Sequence, residues 1–202
     1  MRALRTVAAS VLVLSLVAAC GDDDGTSKPP TFDNQESASE GELGDLMLTL
    51  DDVPTGYVEV PDTDDEVTYI CDYEPSVEPD ERAKAVFAKD NAEILGLAAG
   101  RFPSEGDAET ALDDLDASLD SCTSMEIEGE EVEIARMKID DVGYPAVGVQ
   151  MTFTETGPVM VYLYAQVGDS LVQSGAGGIF GGDLELATEY LVKQIEKYES
   201  AS

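Results

Sequence analysis

The chain of 202 residues contains no histidine and only three cysteines. The lack of histidine excludes the Ser-His-Asp and Cys-His forms of nucleophilic catalysis and removes the commonest metal ligand. The cysteines also do not form the closely spaced CxxC pair typical of a Cys-based metal site. Paired carboxylates remain available for acid–base chemistry, but acids are so frequent here that their presence discriminates nothing. We therefore predict a protein that is not an enzyme and that uses no cofactor.

Basic residues are scarce as well. Lys and Arg total 11 against 43 Asp and Glu, which gives a formal net charge of -32 at pH 7. Nucleic acid is excluded as a partner because its phosphates would be repelled by this charge. The acidity is compatible with adaptation to a salty habitat, with binding of divalent cations, or with both, and the composition does not choose between them.

The first nineteen residues have the layout of a secretion signal. Arg2 and Arg5 give a positive start, and residues 7–19 form an apolar run too short to span a bilayer. The run ends in "LVAAC", which resembles the bacterial lipobox, whose cysteine receives a diacylglycerol and becomes the first residue of the mature protein. This resemblance implies that Cys20 anchors the protein to the outer face of the cell membrane. The alternative is an ordinary secretion signal, cut after Ala19, that leaves a free thiol at Cys20.

The remaining cysteines and the local composition predict the domain organisation. With Cys20 lipidated, Cys71 and Cys122 are left as a pair in an oxidising compartment, where we expect a disulfide. Residues 20–42 are rich in Gly, Ser, Pro and acids and are expected to form a flexible acidic tether. Residues 43–198 then form one domain of ordinary size, followed by a tail at 199–202.

The hydrophobic pattern predicts an α+β domain. The alternating runs "RAKAVFAKD" and "EILGLAAGRF" indicate a hairpin with a small-residue face, turning at Asp90 and Asn91. Four further strands are predicted within "EVEIARMKI", "AVGVQMTFTE", "PVMVYLYAQV" and "SLVQSGAGG". One helix starts at a Ser104 cap, with Asp107 at the capping-box spacing, and a second helix starts at Asp183. We expect an antiparallel sheet with both helices packed on one face.

Two short motifs are considered for ligand chemistry. "SGAGGIFGGD" has the glycines of a phosphate-binding loop, but Asp183 occupies the position of the required lysine, so we favour a glycine-rich connection from strand to helix. "DTDDE" places Asp62, Asp64 and Asp65 near one another, but Val67 occupies the glycine position of a calcium loop. Weak surface binding of calcium and a solvated acidic run remain as the two interpretations of this segment.

A candidate ligand groove involves the strand "PVMVYLYAQV". Tyr162 and Tyr164 lie on the face of this strand opposite its valines and leucine. They are predicted either to line a groove, for which Met151 and Val161 are further candidates, or to cover the sheet beneath a helix, which is the commoner fate of such residues.

The segment "RFPSEGDAETALDDLDASLDSC" resembles the PknH-like extracellular domain family, the sensor domains of mycobacterial serine/threonine kinases and their relatives among actinobacterial lipoproteins. The resemblance continues through "VGYPAVGVQMTF", "VYLYAQVGDSLVQSGAGG" and the last helix. It implies an antiparallel sheet with two helices, disulfide bracing and a cleft for a small ligand. This sequence departs from the family in having no tryptophan before Cys122, no cysteines for a second disulfide, and no kinase domain.

These observations together predict a membrane-anchored, extracytoplasmic lipoprotein that binds or senses a ligand without catalysis. The expected partner is an unidentified small molecule or a protein of the cell envelope, through which any signal must pass. A lipid carrier is the first alternative, and a large pocket lined by Val149, Met151, Val161 and Leu163 would favour it. A structural or accessory envelope protein is the second alternative, which unbroken packing of the same four residues would favour.

Overall fold

The strands pair into one eight-stranded antiparallel sheet. The structure is a computed structural model, and it describes residues 42–61, 70–73, 75–90, 92–127, 129–139 and 142–201. The elements of this part of the chain are β1 (Val58–Glu59), β2 (Glu81–Lys89), β3 (Glu93–Arg101), α1 (Glu105–Leu119), β4 (Ser124–Ile127), β5 (Glu130–Met137), β6 (Ala146–Phe153), β7 (Val159–Val167), β8 (Ser170–Gly178) and α2 (Leu184–Ala201). Short 3₁₀ turns lie at Gly44–Leu46, Leu50–Asp52 and Ile70–Asp72.

The strand order across the sheet is β1-β2-β3-β8-β7-β6-β5-β4, so two parts of the chain are joined through β8. The hairpin β2–β3 comes first, and Asp90 in its turn has the left-handed φ of 53° that tight turns favour. Strands β4 to β8 follow α1 as a meander, in which each strand pairs with the next. The last strand of the meander, β8, then pairs with β3 over nine residues on its other edge. This pairing makes one continuous sheet from elements far apart in sequence.

The prediction of an antiparallel sheet with two helices and a disulfide is confirmed, but the helices do not share a face. Leu191 of α2 packs in one core cluster with Leu163 of β7, whereas Leu112 of α1 packs in another cluster with Val149 of β6. Tyr162 of β7 belongs to the α1 cluster, because successive residues of a strand point to opposite faces of the sheet. Strand β7 is therefore apolar or aromatic on both faces, and each face needs a covering helix.

Both helices begin where the capping residues predict. The Ser104 hydroxyl accepts a hydrogen bond of 3.2 Å from the Asp107 amide at the start of α1. The Asp183 carboxylate accepts a hydrogen bond of 2.9 Å from the Leu186 amide at the start of α2. Each side chain satisfies one of the amides that the first turn of a helix leaves without a backbone partner.

The glycine-rich stretch permits close approach of neighbouring backbones. A Cβ added at Gly177 would lie 2.1 Å from the Val159 carbonyl oxygen, and one added at Gly178 would lie 1.9 Å from that of Ala92. Only glycine fits at these two positions of β8. Close packing of backbones therefore explains these glycines without a phosphate ligand, in agreement with the mismatch of the sequence to a phosphate-binding loop.

Cys71 and Cys122 form the expected disulfide, which ties the Ile70–Asp72 turn to the end of α1, with the Cα atoms 5.8 Å apart. The signal peptide, Cys20, most of the tether and the candidates Asp62, Asp64 and Asp65 lie outside the described residues. Neither of the two described helices combines the length and the apolar character needed to cross a membrane.

Candidate ligand-binding groove

A groove of about 630 Å³ opens on the α1 face of the sheet. Helix α1 packs against β5, β6, β7 and β8, so the same face of β2 and β3 extends beyond its main contacts. Strands β2, β3, β8 and β7 form the floor of the groove, and Leu115 of α1 forms part of one wall. The chain before β2 forms the rest of that wall through Ile70, Tyr73, Pro75 and Pro79. The volume is within the range of small-molecule sites in proteins.

The register of the strands arranges the floor in cross-strand rows. The residues of the first row, which we call the glycine row, are Tyr162, Gly175, Gly96 and Val86, from β7 to β2. The residues of the second row, which we call the polar row, are Tyr164, Gln173, Ala98 and Lys84. On the other side of the glycine row, the groove is lined by Met160 and Ile94. The floor thus changes from polar to apolar along the strand direction.

The two glycines of the glycine row have different surroundings. A Cβ added at Gly175 would lie 2.5 Å from Cδ1 of Tyr162, so the tyrosine ring lies directly against the backbone of Gly175. No atom lies within 4 Å of a Cβ added at Gly96. The aromatic ring therefore covers one glycine and leaves the space above its neighbour open, which creates room in the floor of the groove.

Three polar side chains of the floor have unused hydrogen-bonding capacity. Within the described part of the chain, the hydroxyls of Tyr162 and Tyr164 and the amide of Gln173 have no hydrogen-bond partner, although all three line the groove. Burial raises the pKa of both tyrosines, so both phenols are neutral at physiological pH. The neighbouring Tyr73 hydroxyl instead donates to the Ala111 carbonyl oxygen at 2.9 Å, which holds the wall against α1.

The charges of the groove have the opposite sign to those of the whole chain. The charged residues among its described lining are Arg82 and Lys84, and that lining holds no carboxylate. Arg82 forms an ion pair with Glu78 at the rim. Burial lowers the pKa of Lys84. In a chain with 43 acidic residues, a lining without carboxylates is a local departure from the composition.

Of the four residues that the sequence predicted to form a groove, only two line the groove that the structure contains. Tyr162 and Tyr164 both line it and also pack at the edge of the α1 cluster, which combines the two fates considered for them. Met151 is on the same face but is buried in the α1 cluster. Val161 is on the other face, in the core beneath α2, because it precedes Tyr162 in an alternating strand.

The pocket considered for a lipid carrier is not formed where it was expected. Val149, Met151, Val161 and Leu163 are all buried, the first two on the α1 face and the last two on the α2 face. These four residues pack in two separate cores on opposite faces of the sheet, which is the outcome that favours a structural or accessory protein over a carrier with its cavity at these residues. A groove nevertheless exists two strands away, over β3.

Sequence analysis missed Gly96, Gln173, Lys84 and Met160 as groove residues. The small-residue face of "EILGLAAGRF" was a signal, because Gly96, Ala98 and Gly100 alternate along one face of β3 and all line the groove. Its meaning depends on the pairing of β3 with β8, which brings Tyr162 and Gln173 to that face. That pairing joins residues far apart in sequence, and the local pattern does not reveal it.

Metal binding and the glycine-rich loop offer no comparable arrangement. No group of three or more Cys, Asp or Glu side chains is placed to hold a metal ion within the described residues. A smaller pocket of about 150 Å³ lies beside the loop that precedes α2, and it is bordered by Glu93 and Asp183. Two carboxylates make this pocket unsuitable for a phosphate group.

No protein-family model matches the chain, and a search of curated proteins found no similar sequence. Among solved structures, the chain is similar to the extracellular domain of PknH from Mycobacterium tuberculosis, with a TM-score of 0.46 and 12% sequence identity. The matched region covers 59% of this chain and 63% of that domain, so the chain spans less than two thirds of the structure it matches. The similarity is structural and distant.

Proposed function

We propose that this protein is a non-enzymatic, extracytoplasmic binding module that takes a small-molecule ligand in the groove over β2, β3, β8 and β7. The open floor above Gly96 carries this proposal, because it is apolar space on the α1 face of the sheet, beyond the strands against which α1 packs. A concave, largely apolar site with a few polar groups is the usual form of a ligand pocket.

The chemistry of the lining supports binding rather than catalysis. The described lining contains phenols, an amide and two cationic side chains, and it lacks carboxylates and thiols. These groups donate and accept hydrogen bonds, but they do not form a pair of nucleophile and base. The lining thus supplies recognition without the groups that most hydrolases and transferases use.

The proposal includes attachment to the membrane through a lipid on Cys20. Its support is the lipobox resemblance and the acidic, apolar-poor composition of residues 20–42. Metabolic labelling with a palmitate analogue tests it: we expect label on the wild-type protein and none on a Cys20→Ser variant. Equal labelling of both forms, or no label on the wild type, would contradict the anchor.

Filling the groove tests the binding function directly. We expect Gly96→Leu to abolish retention of the native ligand, because its Cβ would meet no atom within 4 Å and the rest of the side chain would extend into the open floor. The control is Gly106→Leu, which adds the same side chain at an exposed position in the first turn of α1, outside the groove. Each variant would be purified from its own membrane, and native and denaturing mass spectrometry would then be compared.

A ligand mass on the wild type and on Gly106→Leu, and its loss from Gly96→Leu, would support the groove as the site. The same ligand on all three proteins would place binding elsewhere. No retained mass on any of them would count against a small-molecule ligand and would favour an envelope protein as the partner.

A further inference from the structure

We propose that the groove selects uncharged, single-chain amphiphiles, with the apolar chain lying over Gly96 and a hydroxyl-bearing head against Tyr162, Tyr164 and Gln173. This inference rests on the proposed function, since it names the class of ligand that the same groove would take. Three features of the floor support it: its apolar half, its polar half and its charge.

The apolar half is an open strip that runs along the strands. From the polar row it passes Gly96 and Val86 and continues to Met160 and Ile94. Ala98 to Ile94 is four residue steps along β3, or about 13 Å in an extended strand. Ile94 is 42% exposed, so an apolar surface continues to the open end of the strip. A flexible alkyl chain fits a narrow strip of this kind and would cover the exposed apolar surface.

The polar half offers hydrogen bonds that the protein itself does not use. The hydroxyls of Tyr162 and Tyr164 and the amide of Gln173 have no partner in the described part of the chain. Tyr164 and Gln173 are direct cross-strand neighbours, so both can reach one head group. A phenol and a carboxamide each donate and accept, and an alcohol head group matches both functions.

The charge around the polar row disfavours ionised head groups. A cationic head would lose hydration at the polar row and would find no carboxylate in the described lining to pair with. An anionic head would lose hydration, and Lys84 would attract it only weakly because this lysine is exposed and already has an interaction partner in the chain. The net charge of the chain adds repulsion against an anion. A neutral head avoids all three penalties.

Three probes with the same tail test the inference: 1-decanoylglycerol, decanoate and decylamine, each used below its micelle concentration. The protein is the mature chain with Cys20→Ser, which needs no detergent, and affinity is measured by calorimetry. We expect 1-decanoylglycerol to bind at least tenfold more tightly than either charged probe. Tyr164→Phe and Gln173→Leu should reduce that preference to threefold or less. Tyr144→Phe is the control, because Tyr144 bonds to Glu199 outside the groove.

The outcomes separate the ligand class from the site. Equal or tighter binding of decanoate or decylamine, lost on Gly96→Leu, would overturn the uncharged class while leaving the groove as the site. Binding that Gly96→Leu leaves unchanged would overturn the groove itself, and with it the proposed function. Failure of all three probes to bind would overturn the amphiphile class, and the native ligand retained by the purified protein would then decide the function.

Discussion

Gly96 and Gly175 face each other across β3 and β8, yet a side chain at each would have opposite effects. The neighbour of Gly175 is the Tyr162 ring, which lies in direct contact with the glycine backbone, a known way of stabilising glycine in sheets. The neighbour of Gly96 is the open groove. Of these two paired glycines, Gly175 therefore packs against an aromatic ring, whereas Gly96 borders the open groove.

This pair gives a matched prediction. We expect Gly175→Ala to lower the free energy of unfolding by about 1–3 kcal/mol, because its Cβ would displace the Tyr162 ring. We expect Gly96→Ala to raise the free energy of unfolding by about 0.5–1 kcal/mol, because alanine loses less entropy on folding and meets no atom. Urea unfolding of both variants measures the difference. Equal stabilities would show that Tyr162 does not lie on Gly175.

Groove residues could be predicted from the sequence only where the pattern within a single strand was sufficient to identify them. Tyr162 and Tyr164 could be singled out because alternation along one strand is a local property. Gly96 could not, since glycine in a strand has many explanations and the open space above it depends on a ring from another strand. The groove floor is formed by four strands, and the sequence pattern of one strand does not show which strands lie beside it.

At the scale of elements, the starts of the two helices could be predicted from the sequence, but the face of the sheet on which each helix packs could not. The caps at Ser104 and Asp183 are encoded within a few residues, so both helix starts follow from the sequence. The choice of face for each helix is not encoded locally, because β7 offers a hydrophobic or aromatic surface on both sides. Placing α1 and α2 on opposite faces leaves β2 and β3 partly uncovered on the α1 side, and the groove forms there.

The disulfide acts on the wall of this groove. Cys71 lies in the Ile70–Asp72 turn, and both Ile70 and the adjacent Tyr73 line the groove. Cys122 follows α1, whose Leu115 contributes to the same wall. The covalent bond thus links two parts of the wall that are 51 residues apart in sequence.

Removing the disulfide should therefore affect both stability and binding. We expect Cys71→Ser/Cys122→Ser to lower the free energy of unfolding by about 4 kcal/mol, as loop entropy predicts for this separation. We also expect weaker ligand retention, because the turn at Ile70 loses its tether to α1. Urea unfolding measures the first effect, and native mass spectrometry under conditions where near-UV circular dichroism is native measures the second. Unchanged ligand retention by the folded variant would show that the wall of the groove keeps its structure without the disulfide.

At the scale of the molecule, the first described residues of the chain and the groove are on opposite faces of the sheet. Leu43, Met47 and Leu48 are buried in the α2 core cluster, and the fully buried Gln194 of α2 accepts from the Leu48 amide at 2.9 Å. The Gln194 amide also donates to the Leu46 carbonyl oxygen at 2.7 Å. Residues 43–48 are thus held on the α2 face, which leaves the α1 face and its groove clear of them.

The charge of the molecule is unbalanced even though most of its cations are paired. Ion pairs within the described residues include Arg82–Glu78, Lys89–Glu93, Arg101–Glu81, Arg136–Asp116, Lys193–Glu189 and Lys197–Asp52. These pairs involve most of the described Lys and Arg side chains, and the chain as a whole has a large excess of acids. The composition already showed this imbalance, and the structure adds that the acids of the described residues lie outside the lining of the groove.

The excess of like charge leads to a prediction about salt. Repulsion among the acids opposes the compact state, and screening by ions weakens that repulsion. We expect the Tm of the mature chain with Cys20→Ser to rise by about 5 °C between dilute buffer and 1 M NaCl, which corresponds to roughly 1–2 kcal/mol for a chain of this size. Differential scanning calorimetry at pH 7 measures the change.

A charge-reduced variant distinguishes screening from a general effect of salt on the protein. Glu109→Gln/Asp113→Asn/Glu126→Gln removes three exposed acids that lie outside the ion pairs and the groove. If repulsion is the cause, this variant should have a higher Tm in dilute buffer and gain less from salt, because fewer charges remain to be screened. If salt stabilises by strengthening apolar burial instead, both proteins should gain equally. A Tm that is flat or falls with salt in the parent chain would show that the acidic surface does not strain the fold.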